Sequence, residues 1–145
     1  MDGRGHAINI RTHDHSFSGI KAEGISDIVF TNLSFDDQYS SWDQDGEGSD
    51  AMTIYNSNKI WIHRCYFARW KDGAIDILFD SSRAGSFHHS ISATWCKFES
   101  IYQGINWTVE RASFGHNWCL NVRMRCTKNI DGSVHSWNNL IAGWN

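Results

Sequence analysis

The sequence predicts an all-β solenoid, a parallel β-helix of about five coils. Three observations carry this. First, Ala112, Phe114, Asn117 and Cys119 are spaced as two alternating positions, a two-residue gap and two more alternating positions. Val134, Ser136, Asn139 and Ile141 repeat that spacing 22 residues later. Alternation puts such residues on one face of a strand, and the gap marks a bend into a second short strand. Second, the pattern runs upstream through Ile91, Ala93, Cys96 and Phe98, through Ile60, Ile62, Cys65 and Phe67, and through Ile28, Phe30, Leu33 and Phe35. The last members fall at 35, 67, 98, 119 and 141, so two steps are regular and two carry about ten extra residues of loop. Self-similarity at a fixed short period marks a stacked repeat. Third, one column reads Leu33, Cys65, Cys96, Asn117, Asn139. Two buried asparagines in neighbouring coils can bond each other's amides, which relieves the cost of burying them. An antiparallel sandwich would also show short strands, but not fixed columns.

Composition bounds the rest. The 145 residues suit a single domain, 1–145. There is no proline, there are eight tryptophans, and the net charge is −3. That charge gives no electrostatic footprint for nucleic acid or an anionic membrane. No apolar run approaches transmembrane length. The first ten residues, MDGRGHAINI, have no signal-peptide core. Asn32-Leu-Ser34 and Asn106-Trp-Thr108 are glycosylation sequons, a weak pointer to secretion.

In chain order, Ala7 to Ile10 is a strand candidate after a Gly-rich turn, and the first full coil spans roughly 19–35. Residues 36–50 form a polar loop holding Asp36, Asp37, Asp43, Asp45, Glu47 and Asp50. It lacks the ligand spacing of an EF-hand. Ala51 to Tyr55 is the next strand, Asn56-Ser-Asn58 a turn, and Ile60 to Phe67 the second repeat. Ala74 to Phe79 should turn Ile75 and Ile77 inward and Asp76 outward. His13 with His15, and His88 with His89, are candidate metal pairs that no further ligand completes. Gly104 to Trp107 parallels the strands at 51–55 and 74–79, so Thr53, Asp76 and Asn106 should line one outward face. Arg123 and Arg125 arrive on the following coil. An acidic pair beside arginines on one face is the place to look for a site. Cys65 and Cys96 share a column and read as buried, stacked thiols; Cys119 is inward and the facing of Cys126 is open.

The segments GSDAMTIYNSNKIWIHRCYF and KDGAIDILFDSS, and the run from Asn117 to Asn139, resemble the pectate lyase family. The resemblance implies a right-handed parallel β-helix. It further implies Ca²⁺ held by Asp50, Asp72 and Asp76, with Arg125 as the catalytic base. Gln103 falls at a substrate-binding position of the family, and Asn106 and Arg123, from the outward face, are the further expected substrate contacts; a competing alignment that deletes the proline puts Arg123 in the catalytic place, whereas Arg125 needs no gap. The implied partner is an acidic polysaccharide, pectate or a related uronan, and the implied location is extracellular. Five positions depart from the family pattern. Gly48 stands at the first aspartate of Asp-x-Asp, His63 at the aspartate of the Trp-x-Asp segment, Gln103 at a substrate-binding lysine, Thr127 at a proline and Ile130 at a second arginine.

The family chemistry explains these residue types. β-Elimination removes the proton α to a uronate carboxylate, and a bound cation steadies the charge that develops there. Losing two cations at 103 and 130 should weaken uronate binding or shift it to a less charged uronan. A catalytically silent β-helix that binds glycans or assembles is the second expectation. A hydrolase would need paired carboxylates at glycosidase distance. The chain begins inside an early coil and ends in LIAGWN without an evident cap. An uncapped solenoid exposes strand edges, so a truncated version of the fold, or coverage of its ends by another copy, is expected.

Overall fold

The computed structural model describes residues 1–3, 9–10, 18–37, 49–79 and 90–143. His13, His15, Asp43, Asp45, Glu47, Gly48, His88 and His89 lie outside the described residues. Twelve strands occur among those described: β1 (Asn9–Ile10), β2 (Ile20–Glu23), β3 (Ser26–Thr31), β4 (Ser34–Asp36), β5 (Met52–Tyr55), β6 (Asn58–His63), β7 (Tyr66–Ala68), β8 (Gly73–Leu78), β9 (Ser90–Thr94), β10 (Lys97–Gly115), β11 (Trp118–Trp137) and β12 (Leu140–Ala142).

Every ladder between them is parallel, and the chain is a parallel β-helix. Three faces wrap one core. The first face stacks β2, β5, β8 and the middles of β10 and β11. The second stacks β3, β6, β9 and the C-terminal parts of β10 and β11. The third stacks β1, β4, β7, the N-terminal parts of β10 and β11, and β12. Taking one strand from each face in turn gives five coils from Ile20 to Ala142, as the spacing predicts. The two long steps contain residues 38–48 and 80–89.

The bends have a common backbone device. Asn32, Arg64, Trp95, His116 and Asn138 occupy one corner in successive coils, all left-handed with φ between 49° and 57°. A residue with positive φ turns the chain sharply without breaking the strand on either side, and asparagine bears that conformation best. Arg69, Ser100, Asn121 and Gly143 repeat the device at the next corner. The gap in the sequence pattern is this bend, one residue ahead of the third column.

Inside, stacking follows the columns. Phe67 lies between Phe35 and Phe98, with ring centroids 4.8 and 5.2 Å apart and planes within 9°. Coil separation matches aromatic stacking distance, so one spacing serves both the backbone ladder and the rings. Asn117 is fully buried. Its Oδ1 accepts the Cys96 N–H at 2.8 Å, and its Nδ2 donates to the Ala93 carbonyl. Asn139, only partly buried, repeats both bonds on Asn117 N–H and the Phe114 carbonyl. The ladder therefore runs from side-chain amide to backbone of the preceding coil, correcting the expected amide-to-amide pairing. A bend leaves its own N–H and C=O unpaired, and the asparagine satisfies both at once.

Cys65 and Cys96 are free and buried, as the column suggests. Cys119 pairs with Cys126 in a disulfide across the core, joining the third face to the first. That pairing was not legible from a spacing of seven, because the intervening bulge decides where Cys126 faces. Replacing Phe67 with alanine should cost about 3–5 kcal/mol in urea unfolding, since it removes the ring that touches both neighbours in the stack.

Candidate functional site

The outward side of the first face collects the residues picked out above. Thr53, Asp76, Asn106 and Lys128 occupy one row in consecutive coils. The expected alignment of Thr53, Asp76 and Asn106 is thus observed, with Ile75 and Ile77 turned into the core. Lys128 extends the row and was not singled out from sequence. Its signal was available in the column register, 22 residues after Asn106.

Asp50 stands at the entry to this row. A Cβ on Gly73 would lie 2.5 Å from its Oδ1, so only glycine lets the carboxylate rest there. The Gly73 N–H donates to that carboxyl. Burial, followed by the charges of Asp76 and Asp72, pushes Asp50 from 3.8 up to about 8. Burial also raises Asp76, against a bond from the Asn106 amide that favours its charged form. The structure thus brings Asp50, Asp72 and Asp76 into one electrostatic neighbourhood. Among the described residues, no three His, Cys, Asp or Glu side chains close around one point at metal-binding distance.

Gln103 is the hub of the basic half. It is 8% exposed. Its Nε2 donates to Asp72 Oδ1 at 2.9 Å, and its Oε1 accepts Arg125 Nη2 at 2.7 Å. Asn106 Nδ2 approaches the same oxygen at 3.4 Å. Gln103 is thereby committed to protein partners: it fixes Arg125 to the acidic cluster. Asn106 Oδ1 and Arg125 Nε are buried without a hydrogen-bond partner among the described residues.

A bulge aims Arg125. Ile101 pairs with Val122 and Gln103 with Arg125, so β11 carries one extra residue against β10. Such bulges re-aim side chains beside sites. Here the extra residue exposes Arg123 and Met124 together and leaves Arg125 facing Gln103. Arg123 is drawn aside, its guanidinium 5.6 Å from the centre of the Tyr102 ring. Of the two arginines, Arg125 joins the cluster. The departures at 127 and 130 also have a structural account. Thr127 Oγ1 accepts the Nε1–H of Trp107, a fully buried indole, at 2.6 Å. Ile130 is exposed at the outer edge of the last coil.

The raised carboxyl of Asp50 has a consequence for stability. Its proton is held more tightly in the folded chain than in the unfolded one, so the penalty for ionising it is absent below 3.8 and grows as pH rises toward about 8. With chelator present, the melting temperature should fall across that interval. Asp50→Asn should flatten the fall, as read by circular dichroism at several pH values.

No family model matches the chain, and no solved structure matches it. The pectate trisaccharide-lyase of Thermotoga maritima is 25% identical over 138 residues, covering 86% of this chain and 36% of that protein. Two Arabidopsis thaliana proteins whose names place them among the pectate lyases, numbers 2 and 17, are 46% and 43% identical over 37 residues, or 26% of this chain. The chain spans about a third of the length of the Thermotoga relative and about a tenth of the plant ones. It is distantly related to pectate lyases.

Proposed function

We propose that this chain is a pectate lyase-like polysaccharide lyase that cleaves polygalacturonate or a related uronan by β-elimination. The observation that supports it most is the juxtaposition of three repelling carboxylates with Arg125 through Gln103. Asp50, Asp72 and Asp76 offer hard oxygen donors, and the unpartnered Oδ1 of Asn106 adds a neutral one. These residues would hold Ca²⁺. Bound there, it would neutralise the substrate carboxylate and lower the energy of the enolate-like charge.

The chain's own residues do the rest. Gln103 holds Arg125 at the edge of the acidic cluster, so the guanidine faces a uronate bound over the row. Arg125 in its neutral form takes the C5 proton. The C5–H electrons form the C4–C5 double bond, the C4–O bond breaks, and the departing glycosidic oxygen is protonated from solvent. Lys128, one coil beyond Asn106 on the same row, supplies a cation for a neighbouring carboxylate. This replaces part of what is lost at Gln103 and Ile130. By this reading the chain acts on a secreted or environmental polysaccharide, outside the cell.

One observation favours the catalytically silent reading. A neutral, buried amide stands where the family places a lysine, and its oxygen already occupies an Arg125 donor.

Ultraviolet absorbance of the unsaturated uronate separates the two. Polygalacturonate at alkaline pH with calcium should give a rise that chelator abolishes. Asp76→Asn should lose at least ~100-fold in rate, and Arg125→Lys should lose kcat with little change in KM, as expected for groups acting in the transition state. No rise on pectate, pectin or alginate leaves the silent glycan-binding scaffold.

A further inference from the structure

The second face carries a different surface. Its outward residues include Trp61 and His63 in the second coil and His135 and Trp137 in the fifth. Trp95 and His116 stand at the adjoining corner. Between them the sheet presents only small groups: Ser92, Thr94, Ser113 and Gly115.

The rings are fixed, not loose. Trp61 Nε1–H donates to Thr94 Oγ1 at 2.8 Å, and His63 Nδ1 lies 2.9 Å from the same hydroxyl. One threonine therefore holds both rings over the next coil. From the other end, the Trp137 indole lies across Gly115, where a Cβ would come within 2.3 Å of the ring. Trp95 stacks on His116 with centroids 4.5 Å apart and planes 9° apart. His116 in turn meets the edge of Trp137. Yet Trp61 is 44% and Trp95 57% exposed. Keeping large indoles in water while anchoring them costs hydration free energy, and an exposed aromatic patch of this kind marks a binding surface. Three coil spacings separate Trp61 from Trp137, roughly 14 Å.

Charge selects the occupant. From the second coil to the fifth, the two central rows of this face carry no carboxylate. Asp2 pairs with Thr31 one coil earlier, its carboxylate accepting from Asn32 Nδ2, and at the entry edge Asp27 pairs with Lys59 while Glu110 and Asp131 sit nearby. Arg64 stands in the corner between His63 and the third face, and Arg111 enters the sheet beside Ser113. Flat aromatic rings receive the apolar C–H faces of pyranoses, hydroxyl-bearing floors receive their hydroxyls, and flanking guanidinium groups receive carboxylates.

We infer that the outer side of the second face is a second binding site, for an acidic polysaccharide, built on Trp61, Trp95 and Trp137 and separate from the Asp50–Arg125 cluster. It holds the polymer without cleaving it. It does not depend on the lyase reading, because no residue is shared with the first face.

Affinity electrophoresis tests this, in gels containing polygalacturonate and chelator, so that a cation at the acidic cluster contributes nothing. Wild-type protein should be retarded, and more than in gels containing neutral β-1,4-galactan. The double variant Trp61→Ala/Trp95→Ala should lose at least ~10-fold in apparent affinity. Trp61→Phe/Trp95→Phe, which keeps a flat ring, should retain most of it. Asp76→Asn should be retarded as wild type, so a failed lyase assay and a failed second site are told apart. In unmodified protein, polygalacturonate should protect tryptophans from oxidation by N-bromosuccinimide, a readout that needs no variant to fold. Absence of retardation overturns the proposal. So does equal retardation of the alanine variant, loss of retardation on Asp76→Asn alone, or stronger retention by the neutral galactan.

Discussion

The structure depends on one constraint: each coil must place its residues directly over those of the coil before it. Backbone hydrogen bonds set the separation, and that separation is also a stacking distance for phenyl rings. The Phe35–Phe67–Phe98 stack and the parallel ladders therefore reinforce one another. The left-handed corner at Asn32, Arg64, Trp95, His116 and Asn138 keeps the faces in phase through insertions of ten residues. Asn117 satisfies the polar groups that this corner would otherwise bury unpaired.

Stacking in register turns single residues into rows, and rows are what the outer faces present. On the first face the row is polar and charged, with Asp76, Asn106 and Lys128 in line and Asp50, Asp72, Gln103 and Arg125 beside it. On the second face the rows are aromatic and hydroxylic. One backbone geometry thus yields two surfaces of different chemistry on one chain. The carboxylates of the first face repel one another, and the cost is concentrated on Asp50, which is both the most confined by its neighbours and held against Gly73.

The coil count, the columns and the inward and outward facing of β5, β6 and β8 were legible because period-two alternation survives in short strands and the corner always consumes two residues. The outward row of Thr53, Asp76 and Asn106 followed from the same register. Three features were not legible. The Cys119–Cys126 disulfide and the aim of Arg125 both depend on the bulge after Val122, and one inserted residue leaves no mark in a pattern of apolar positions. Gln103 read as a weakened substrate contact, whereas its amide is spent on Asp72 and Arg125. Side-chain commitments of that kind require coordinates. The asparagine column was read correctly, but its bonding partner is the backbone, because the unpaired groups at the corner lie nearer than the next amide.

Elimination and hydrolysis leave different ends on the polymer, so the mass of the products tests the account most directly. Polygalacturonate incubated with the protein and calcium, and analysed by mass spectrometry, should give oligomers whose new non-reducing ends are lighter by one water than hydrolytic products. Oligomers with saturated ends would contradict elimination and assign the carboxylates to acid and base roles. Intact polymer after exhaustive incubation would contradict cleavage altogether.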